Sequence, residues 1–408
     1  MGIPKNSLGF TLFLGALGAL PPLSIDMGLP ALAVIAQTLH ARDNEAALTL
    51  SLFLAGFAIA PVLFGPLSDR FGRRPILLIG STIFAIAGIL CTIAPTIELL
   101  LLWRVLQGIG AGAGAVLSMA IVRDLFEGSD ARAKLSYVGI VRSLAPMIAP
   151  TLGAIVLSIA NWRMIYASLA VMGVLLLILI ATGFEESAPS ERQPFNLPTL
   201  LTNYKSVLTD RVSGGYACMG ALMFGGMFAY VSNSPLLFIG VYKLTATAFG
   251  ALFAITSLGI MAGAFINGRL SARHLPHHVG LNIGASLAVV STLANLTLTC
   301  LGLSSVYTLV PLLFVCTLSL GLSAPNTTHG CLQPLPKIAG AASAVLACSQ
   351  MLTGAVSSAI VAFIYDEHSP FAMTAVMAAF ELAALVFYLV WIRPAEKQIA
   401  SSNQPVQH

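Results

Sequence analysis

Residues 65–75 read Gly-Pro-Leu-Ser-Asp-Arg-Phe-Gly-Arg-Arg-Pro, and this stretch decides the fold. Its charged side chains stand between one apolar run that ends near Gly65 and another that begins at Pro75. Glycines at 65 and 72 would let the chain turn tightly, and Pro75 suits the first turn of a helix because that position needs no backbone donor. A charged loop between two apolar runs must lie in water. The stretch therefore predicts two membrane helices joined at the membrane surface.

The rest of the chain has the composition of a membrane protein. Of its 408 residues, 57% are hydrophobic and 9% are charged, whereas soluble domains carry about 25% charged residues. The net charge of +4 gives no indication of nucleic-acid binding. A helix needs about 20 apolar residues to cross a bilayer core. Twelve such stretches are predicted, at residues 8–32, 47–66, 75–95, 98–122, 135–159, 162–183, 214–236, 246–267, 279–302, 306–328, 338–364 and 370–392.

A polar segment after the sixth apolar stretch indicates two halves. If both termini are cytoplasmic, the inside segments carry 15 of the 20 Lys and Arg residues. The positive-inside rule therefore favours this orientation. The predicted domains are an N-terminal six-helix bundle at 1–185, a cytoplasmic linker at 186–211, a C-terminal six-helix bundle at 212–393 and a cytoplasmic tail at 394–408.

The two halves repeat each other at one offset. Residues 65–70 align with Gly-Arg-Leu-Ser-Ala-Arg at 268–273, and Lys134 aligns with Lys337 at the same offset of 203 residues. Two matches at one offset favour a tandem duplication. The predicted fold is therefore an all-α polytopic membrane protein with twelve transmembrane helices in two pseudo-symmetric six-helix bundles. In the second copy Ala272 replaces the aspartate, so a latch that depends on this carboxylate should exist in the first half alone.

Asp26 is the sharpest candidate for chemistry within the membrane. It lies in the first apolar stretch, and Pro21 and Pro22 loosen the backbone just before it. A carboxylate at membrane depth costs about 2.5 to 3.5 kcal/mol on insertion scales, so it usually faces a cavity or a partner. Burial favours the neutral carboxyl form, which suits a group that takes up and releases protons. We hypothesise that Asp26 carries the coupling proton. The alternative is a solvated or helix-end aspartate.

A positive charge lies within the fourth apolar stretch. Arg104 stands one or two turns into the predicted helix, and Gln107 lies close to the same face. A guanidinium stays charged at this depth. It can therefore bias the protonation of a nearby acid or bind an anionic or carbonyl-bearing substrate. The alternative is that Arg104 extends to the outer interface and only anchors the helix.

The fifth apolar stretch contains Pro146, Pro150 and Gly153. Each proline removes a backbone hydrogen bond and the glycine permits close packing, so this helix should be bent and pressed against a neighbour. Arg142 precedes the prolines in the same stretch. A substrate or gating role and an anchoring role remain equally open for Arg142.

Asp124 ends the fourth helix and should lie at the same membrane surface as the charged loop. A cluster of carboxylates and guanidinium groups there could clasp the two halves in the outward-open state and break when the cavity opens inward. As exposed salt bridges alone, such pairs would add little stability. The predicted cytoplasmic gate comprises Gly65, Asp69, Arg70, Gly72, Arg73, Arg74 and Asp124.

Two further residues have open roles. Glu381, midway along the last helix, has no evident partner in the sequence and is either a second protonation site or a structural acid. His329 follows Asn326 just after the tenth stretch and could hydrogen-bond a substrate, with a satisfied buried histidine as the alternative. The six cysteines form neither a Cys-x-x-Cys pair nor a His/Cys ligand pattern. Free thiols, no metal and no cofactor are therefore predicted.

Together these motifs resemble the drug:proton antiporters of the major facilitator superfamily, of the bicyclomycin and chloramphenicol resistance (Bcr/CflA) type. The resemblance covers essentially the whole chain. This family usually has tyrosine where Gly28 stands, so the lining of the cavity should differ here. The resembling segments are 26–30, 65–75, 104–111, 149–153, 230–235, 342–344 and 350–355.

By this resemblance, Asp26 would be the membrane acid, Arg104 its partner, and Asp69 with Arg73 the cytoplasmic gate. The protein would exchange protons for small amphipathic drugs, such as chloramphenicol- or bicyclomycin-like compounds, by alternating access. It would be a monomer in the bacterial inner membrane, with both termini in the cytoplasm and no nucleic-acid partner. The predicted substrate cavity includes Gln107, Arg142, Asn233, Asn326, His329 and Gln350.

Other functions remain open at this point. An exporter of an endogenous metabolite, such as an amino acid, a nucleobase or a siderophore-like product, would share every motif. A proton-coupled importer is disfavoured by the prolines and the glycine of the fifth helix. A receptor without transport is disfavoured by the paired gate motifs. A membrane enzyme is disfavoured because the sequence shows no nucleophile and base pair, no metal-ligand cluster and no phosphate loop.

Overall fold

The computed structural model describes residues 4–5, 7–188, 196–273 and 275–402, and within these ranges the regular secondary structure is helical throughout. Twelve helices are long and apolar enough to cross a membrane, which confirms the predicted number and the all-α class. In chain order these helices, α1 to α12, are Leu8–Thr38, Asp43–Phe71, Arg73–Thr92, Ile97–Leu125, Gly128–Ile159, Trp162–Gly183, Ser213–Val241, Ala246–Ala272, His277–Cys300, Val306–Leu332, Pro336–Ile364 and Phe371–Glu396.

The turn between α2 and α3 is a single residue, which corrects the longer loop predicted at 65–75. α2 continues to Phe71 and α3 begins at Arg73, so Gly65 lies inside a helix and makes no turn. The helix persists beyond the apolar run because its last polar side chains are bonded to neighbouring helices. Gly72 supplies the turn, with a φ of 102° that residues with a Cβ rarely adopt.

α4 packs closely against its neighbours through glycine. A Cβ at Gly56 of α2 would collide with the carbonyl oxygen of Val105, and a Cβ at Gly108 of α4 would collide with that of Phe53. Membrane helices associate through such close contacts because lipid supplies no hydrophobic driving force between them. The α2–α4 contact fixes the position of Arg104, which directly precedes Val105 on α4.

The linker between α6 and α7 contains one further helix, Leu197–Thr209. Its leucines 197, 201 and 208 are exposed, which is typical of a helix that lies at a membrane surface. Residues 189–195 of the predicted linker and 403–408 of the predicted tail lie outside the described residues.

Internal contacts divide the chain into two compact units. The first contains 1–195 together with 231–257 and 358–369, and the second contains the remaining residues. Within the first unit, the hydroxyls of Ser51 and Ser358 are 2.8 Å apart, which bonds the segment at 358–369 to α2. The predicted domain boundaries are based on the repeat in the sequence, whereas these units are defined by internal contacts. The predicted boundaries therefore stay a prediction.

Candidate functional site

Asp26 lies where α1 changes its geometry. The first α-helical segment, Leu8–Asp26, ends at this residue, and a short 3-10 turn follows at Leu29–Ala31. The Asp26 side chain is 5% exposed. Within the described part of the chain, no side chain forms an ion pair with its carboxylate. Asp26 is therefore a helix-end residue that is buried rather than solvated.

Arg104 is held by backbone and amide oxygens. Its Nη2 donates to the Ser24 carbonyl at 3.0 Å, its Nε to the Thr49 carbonyl at 3.3 Å, and its Nη1 to Gln107 Oε1 at 2.6 Å. The Ser24 carbonyl lies in the last turn of the first α1 segment, where carbonyls lack helical partners and carry partial negative charge. The Arg104 guanidinium thus bonds to the carbonyl of Ser24, two residues before Asp26. Among the described residues it forms no ion pair with the Asp26 carboxylate.

Two aromatic rings flank the Arg104 guanidinium. Its carbon lies 4.3 Å from the centroid of Phe53 and 5.6 Å from that of Tyr166. Cation–π contacts of this kind reach about 2 kcal/mol when desolvated. Arg104 is 2% exposed, so its charge stays inside the bundle and does not extend to the interface. The hydroxyl of Tyr166, on α6, lies 3.8 Å from the position that a Cβ on Gly28 would take. Gly28 is the position at which the family usually has tyrosine, so α6 places a tyrosine hydroxyl close to it.

Two buried polar groups beside Arg104 lack partners. Gln107 Nε2 and Ser24 Oγ form no hydrogen bond with any described residue. Burying such donors without a partner costs about 1 to 3 kcal/mol each, so they mark a place where water or a ligand bonds. Arg104 and these two groups can bond a polar ligand, and Asp26, two residues after Ser24, can hold a proton.

Gly153 of α5 packs against the backbone just after Asp26. A Cβ at Gly153 would collide with the carbonyl oxygen of Met27. α5 stays helical through Pro146 and Pro150. The predicted close packing of α5 is present, and its neighbour is the interrupted part of α1. The predicted bend of α5 stays a prediction.

The predicted gate residues assemble around Arg73 in the first unit. Arg73 Nε donates to Asp124 Oδ2 at 2.8 Å and Nη1 donates to Ser68 Oγ at 2.6 Å, while Nη1 also pairs with Asp69. The Arg73 side chain is 10% exposed. This cluster joins α2, α3 and α4 of one unit, so it explains why α2 stays helical to Phe71. Its predicted role as a clasp between the halves stays a prediction.

Glu186, just after α6, completes the gate and was not predicted. Its Oε1 accepts a hydrogen bond from the Arg73 backbone N–H at 2.8 Å, and its Oε2 accepts one from Arg74 at 3.3 Å. A carboxylate at these first N–H groups of α3 is favoured by the helix dipole. A Cβ at Gly72 would collide with the Glu186 carboxylate, so the turn needs glycine for space as well as for its φ. The one sequence signal was an acid placed directly after the sixth apolar stretch.

Glu381 is a second buried acid and lies in the second unit. Glu381 is 3% exposed, and its Oε2 has no hydrogen-bond partner among the described residues. A Cβ at Gly226 of α7 would lie 2.6 Å from Glu381 Oε1, so the carboxyl group rests on glycine backbone. The buried thiol of Cys316 on α10 is a neighbour of this carboxyl group.

The remaining predicted cavity residues lie in different environments. Asn233 is 1% exposed, and neither atom of its side-chain amide is hydrogen-bonded by a described residue. Gln350 is half-buried on α11, with its Nε2 at 3.5 Å from the position of a Cβ on Gly220. Arg142 is exposed. Asn233 thus retains free donors and acceptors for a ligand.

Two other predicted cavity residues take part in packing at one end of the second unit. Asn326 Nδ2 donates to Asn267 Oδ1 at 2.8 Å and to the Leu322 carbonyl at 2.9 Å, which ties α10 to α8. Its amide donor is therefore committed to this link. His329 is exposed, with its ring centroid 5.8 Å from that of His277, so it is not the buried histidine considered as the alternative.

Within the described residues, no group of three or more His, Cys, Asp or Glu side chains is placed to hold a metal ion. The six cysteines are free thiols. The polar machinery of this molecule is therefore the Asp26 site, the Arg73 gate and Glu381.

A family model described as Major Facilitator Superfamily matches residues 14–358. The chain belongs to the major facilitator superfamily. As a member of this family of transporters, it is a multi-pass membrane protein that carries small-molecule substrates and is not an enzyme, which confirms those predictions.

Three bacterial proteins are similar in sequence to this chain over most of its length. It is 36% identical over 361 residues to the uncharacterized MFS-type transporter YdgK of Bacillus subtilis (strain 168), covering 88% of this chain and 89% of the relative. It is 27% identical to the bicyclomycin resistance protein homolog of Haemophilus influenzae, covering 96% and 98%. It is 25% identical to multidrug resistance protein D of Escherichia coli (strain K12), covering 98% and 99%. These relatives confirm the resemblance that the motifs carry.

Solved transporters share the fold of this superfamily member. The crystal structure of a POT family transporter in complex with 5-aminolevulinic acid matches with a TM-score of 0.72 at 14% identity, over 95% of this chain and 97% of that chain. At this identity the match shows the fold alone. It supports the twelve-helix architecture and carries no information about the substrate.

Proposed function

We propose that this protein exports small amphipathic drugs, of the chloramphenicol or bicyclomycin type, in exchange for protons. The names of two relatives, a bicyclomycin resistance protein homolog and multidrug resistance protein D, support drug efflux as the class of function. The proposed setting is the bacterial inner membrane with both termini in the cytoplasm, because that orientation places 15 of 20 Lys and Arg residues inside.

One observation carries the proposal. Asp26 is a buried carboxylate with no ion-pair partner among the described residues, and its helix also carries Ser24, whose carbonyl bonds Arg104 and whose hydroxyl is unpaired within the described chain. A buried carboxylate without a counter-ion favours its protonated form. A substrate that bonds to Asp26 would compete with that proton. Competition between a proton and a substrate at one residue produces exchange when only the loaded protein changes the side on which it is open.

The exchange cycle follows from this competition. In the outward-open state Asp26 takes a proton from the external side and the drug leaves. In the inward-open state a drug enters from the cytoplasm and the proton is released. Arg104 holds a fixed positive charge at the Ser24 carbonyl, two residues before Asp26, where a polar group of the substrate can bond. The contact of Gly153 with Met27 joins α5 to the interrupted part of α1, so a movement of α5 acts on the backbone beside Asp26.

The energy of one proton suffices for export. One proton moving down about 100 mV supplies roughly 2.3 kcal/mol, which supports about 40-fold accumulation of a neutral substrate. A neutral drug such as chloramphenicol can therefore be expelled with one proton at Asp26.

The test is transport by purified protein in proteoliposomes with an imposed pH gradient. We expect chloramphenicol or bicyclomycin to move against its gradient with wild-type protein and not with Asp26→Asn. Glu98→Gln is the matched control, because Glu98 is an exposed acid in the first turn of α4. It should transport like the wild type.

Two outcomes would contradict the proposal in different ways. If neither drug moves with wild-type protein, drug efflux is wrong and a metabolite exporter becomes the better account. If a drug moves equally well with Asp26→Asn, export stands and Asp26 is not the site of competition.

A further inference from the structure

Glu381 has no part in the cycle proposed for Asp26, and its environment is unusual for an acid. The residue is 3% exposed and its Oε2 is unbonded within the described chain. The other oxygen rests against Gly226, where a Cβ would come within 2.6 Å. A structural acid in such a place would be expected to have a cation or several N–H donors around it. Glu381 has neither in the part of the chain that the structure describes.

The helices packed around Glu381 supply few groups that could compensate a charge. α7 presents the glycine pair 225 and 226, which has no side chains. α11 presents Ser357, whose hydroxyl is committed to the Gly225 carbonyl at 2.6 Å. α10 presents the thiol of Cys316. α9 packs against α12, where the Thr374 hydroxyl lies 3.5 Å from that of Thr299, and it carries the buried amide of Asn295, neither atom of which is bonded by a described residue. Among the described residues no cation pairs with Glu381, so burying its ionised form would be costly.

The helix on which the Glu381 carboxyl group rests changes its helical geometry along its length. α7 passes from α-helical to π-helical geometry at Leu236–Val241, and α12 does the same at Tyr388–Ile392. Such π segments occur frequently at functional positions within helices. α7 also contributes residues to both compact units, with the change after Tyr230. A rearrangement of α7 would alter the backbone surface that contacts the Glu381 carboxyl group, and with it the tendency of this group to hold a proton.

We propose that Glu381 is a second proton-binding site, so that two protons enter for each substrate molecule exported. This inference rests on the proposed proton-coupled export. Asp26 would exchange its proton directly against the substrate. Glu381 would bind a proton from the external side and release it to the cytoplasm when the α7 backbone around Gly226 rearranges. For a neutral drug, two positive charges then move inward in each cycle instead of one.

The number of protons is measurable as a slope. Proteoliposomes containing wild-type protein are prepared with the same pH inside and outside, and a membrane potential is imposed. The ratio of the chloramphenicol concentrations on the two sides is recorded at steady state for several potentials. The logarithm of that ratio should rise twice as steeply for two protons as for one. A potential that supports about 40-fold accumulation with one proton supports about 1,600-fold with two.

The variants separate proton binding from packing. Glu381→Gln keeps the shape of the side chain and removes the titration, so its slope should fall to half of the wild-type slope. Glu381→Asp keeps the titration and should retain the wild-type slope even if its rate is lower. Glu98→Gln should behave as the wild type. A one-proton slope in the wild type, or an unchanged slope in Glu381→Gln, would overturn the inference while leaving export by Asp26 intact.

A second measurement needs no transported substrate. Infrared spectra of purified protein near neutral pH should contain a carboxylic-acid carbonyl band that disappears in Glu381→Gln and remains in Glu98→Gln. Identical spectra for the wild type and Glu381→Gln would overturn the inference even if chloramphenicol is not a substrate.

Discussion

Asp26 and Glu381 are the two acidic residues that are less than a tenth exposed in the described chain, and their surroundings differ. Asp26 lies at an interrupted helix, two residues after the Ser24 carbonyl that accepts a hydrogen bond from the buried cation Arg104. Glu381 lies against a glycine backbone with a thiol as its titratable neighbour. Polar neighbours allow the first acid to exchange its proton for a ligand. Glu381 has few polar neighbours, so it can only hold a proton until its surroundings change.

The comparison shows that burial alone does not define the role of an acid in a membrane protein. Both residues interrupt apolar stretches, and both carry the same insertion cost of about 2.5 to 3.5 kcal/mol. What separates them is the set of donors and cations contributed by other helices. Substitutions in those neighbours are therefore the sharpest way to test the comparison.

The largest effect is expected from Arg104→Lys. Lysine keeps the charge, but it cannot donate to Ser24, Thr49 and Gln107 in the fork geometry of a guanidinium. Each lost bond to a charged group is worth about 1.5 to 3 kcal/mol, so drug transport in proteoliposomes should fall about 10- to 100-fold.

Arg163→Lys is the matched control for the Arg104 prediction. Arg163 also donates to a backbone carbonyl, that of Ala94 at 2.9 Å, and also lies 4.3 Å from an aromatic centroid, that of Trp162. It is far less buried than Arg104. Near-normal transport is expected for this control, and equal losses in both variants would show that Arg104 acts only through packing.

An intermediate effect is expected from Gly153→Ala. The added methyl group would meet the Met27 carbonyl oxygen, and a backbone atom cannot move aside cheaply. Overpacking of this kind costs about 1 to 3 kcal/mol, which we expect to appear as about a tenfold loss of transport together with a lower melting temperature in detergent. Gly139→Ala is the control on the same helix, since nothing lies within 4 Å of its Cβ position. If Gly153→Ala transports as well as Gly139→Ala, the α5 contact beside Asp26 has no role in exchange.

The smallest effect is expected from alanine substitutions at Gly226, which contacts Glu381, and at Gly28, two residues after Asp26. Gly226→Ala places a methyl group 2.6 Å from Glu381 Oε1, whereas the methyl group of Gly28→Ala would be 3.8 Å from the Tyr166 hydroxyl. Gly226→Ala should lower the free energy of unfolding by about 1 to 2 kcal/mol, because a carboxyl group is the flexible end of a side chain and can partly move away. Gly28→Ala should be neutral within about 0.5 kcal/mol. Thermal unfolding in detergent measures both, and equal stability of the two variants would contradict the close packing at Glu381.

Much of the fold follows from the sequence because a bilayer imposes a simple length requirement. Twelve apolar stretches became twelve helices, and Gly72 was identified as a turn residue. The end of α2 was placed too early, because its last residues are polar and their helical geometry depends on Arg73 and Asp124, which lie far apart in the chain. Hydropathy contains no information about such bonds.

The candidate site was predictable to the extent that charge within an apolar stretch is rare. Asp26, Arg104 and Glu381 were all singled out in this way. The carbonyl partners of Arg104 could not be predicted, since every residue has a carbonyl and only the interruption of α1 leaves that of Ser24 available. Glu186 was missed for the same reason, because its partners are backbone N–H groups more than a hundred residues away.

The most direct test of the account is proton release from purified, detergent-solubilised protein when drug is added. In weakly buffered solution, chloramphenicol or bicyclomycin should release protons from the wild type and from Glu98→Gln, and no protons from Asp26→Asn. That result would establish competition between drug and proton at Asp26. Release that is unchanged in Asp26→Asn, or no release from the wild type with either drug, would contradict the central claim.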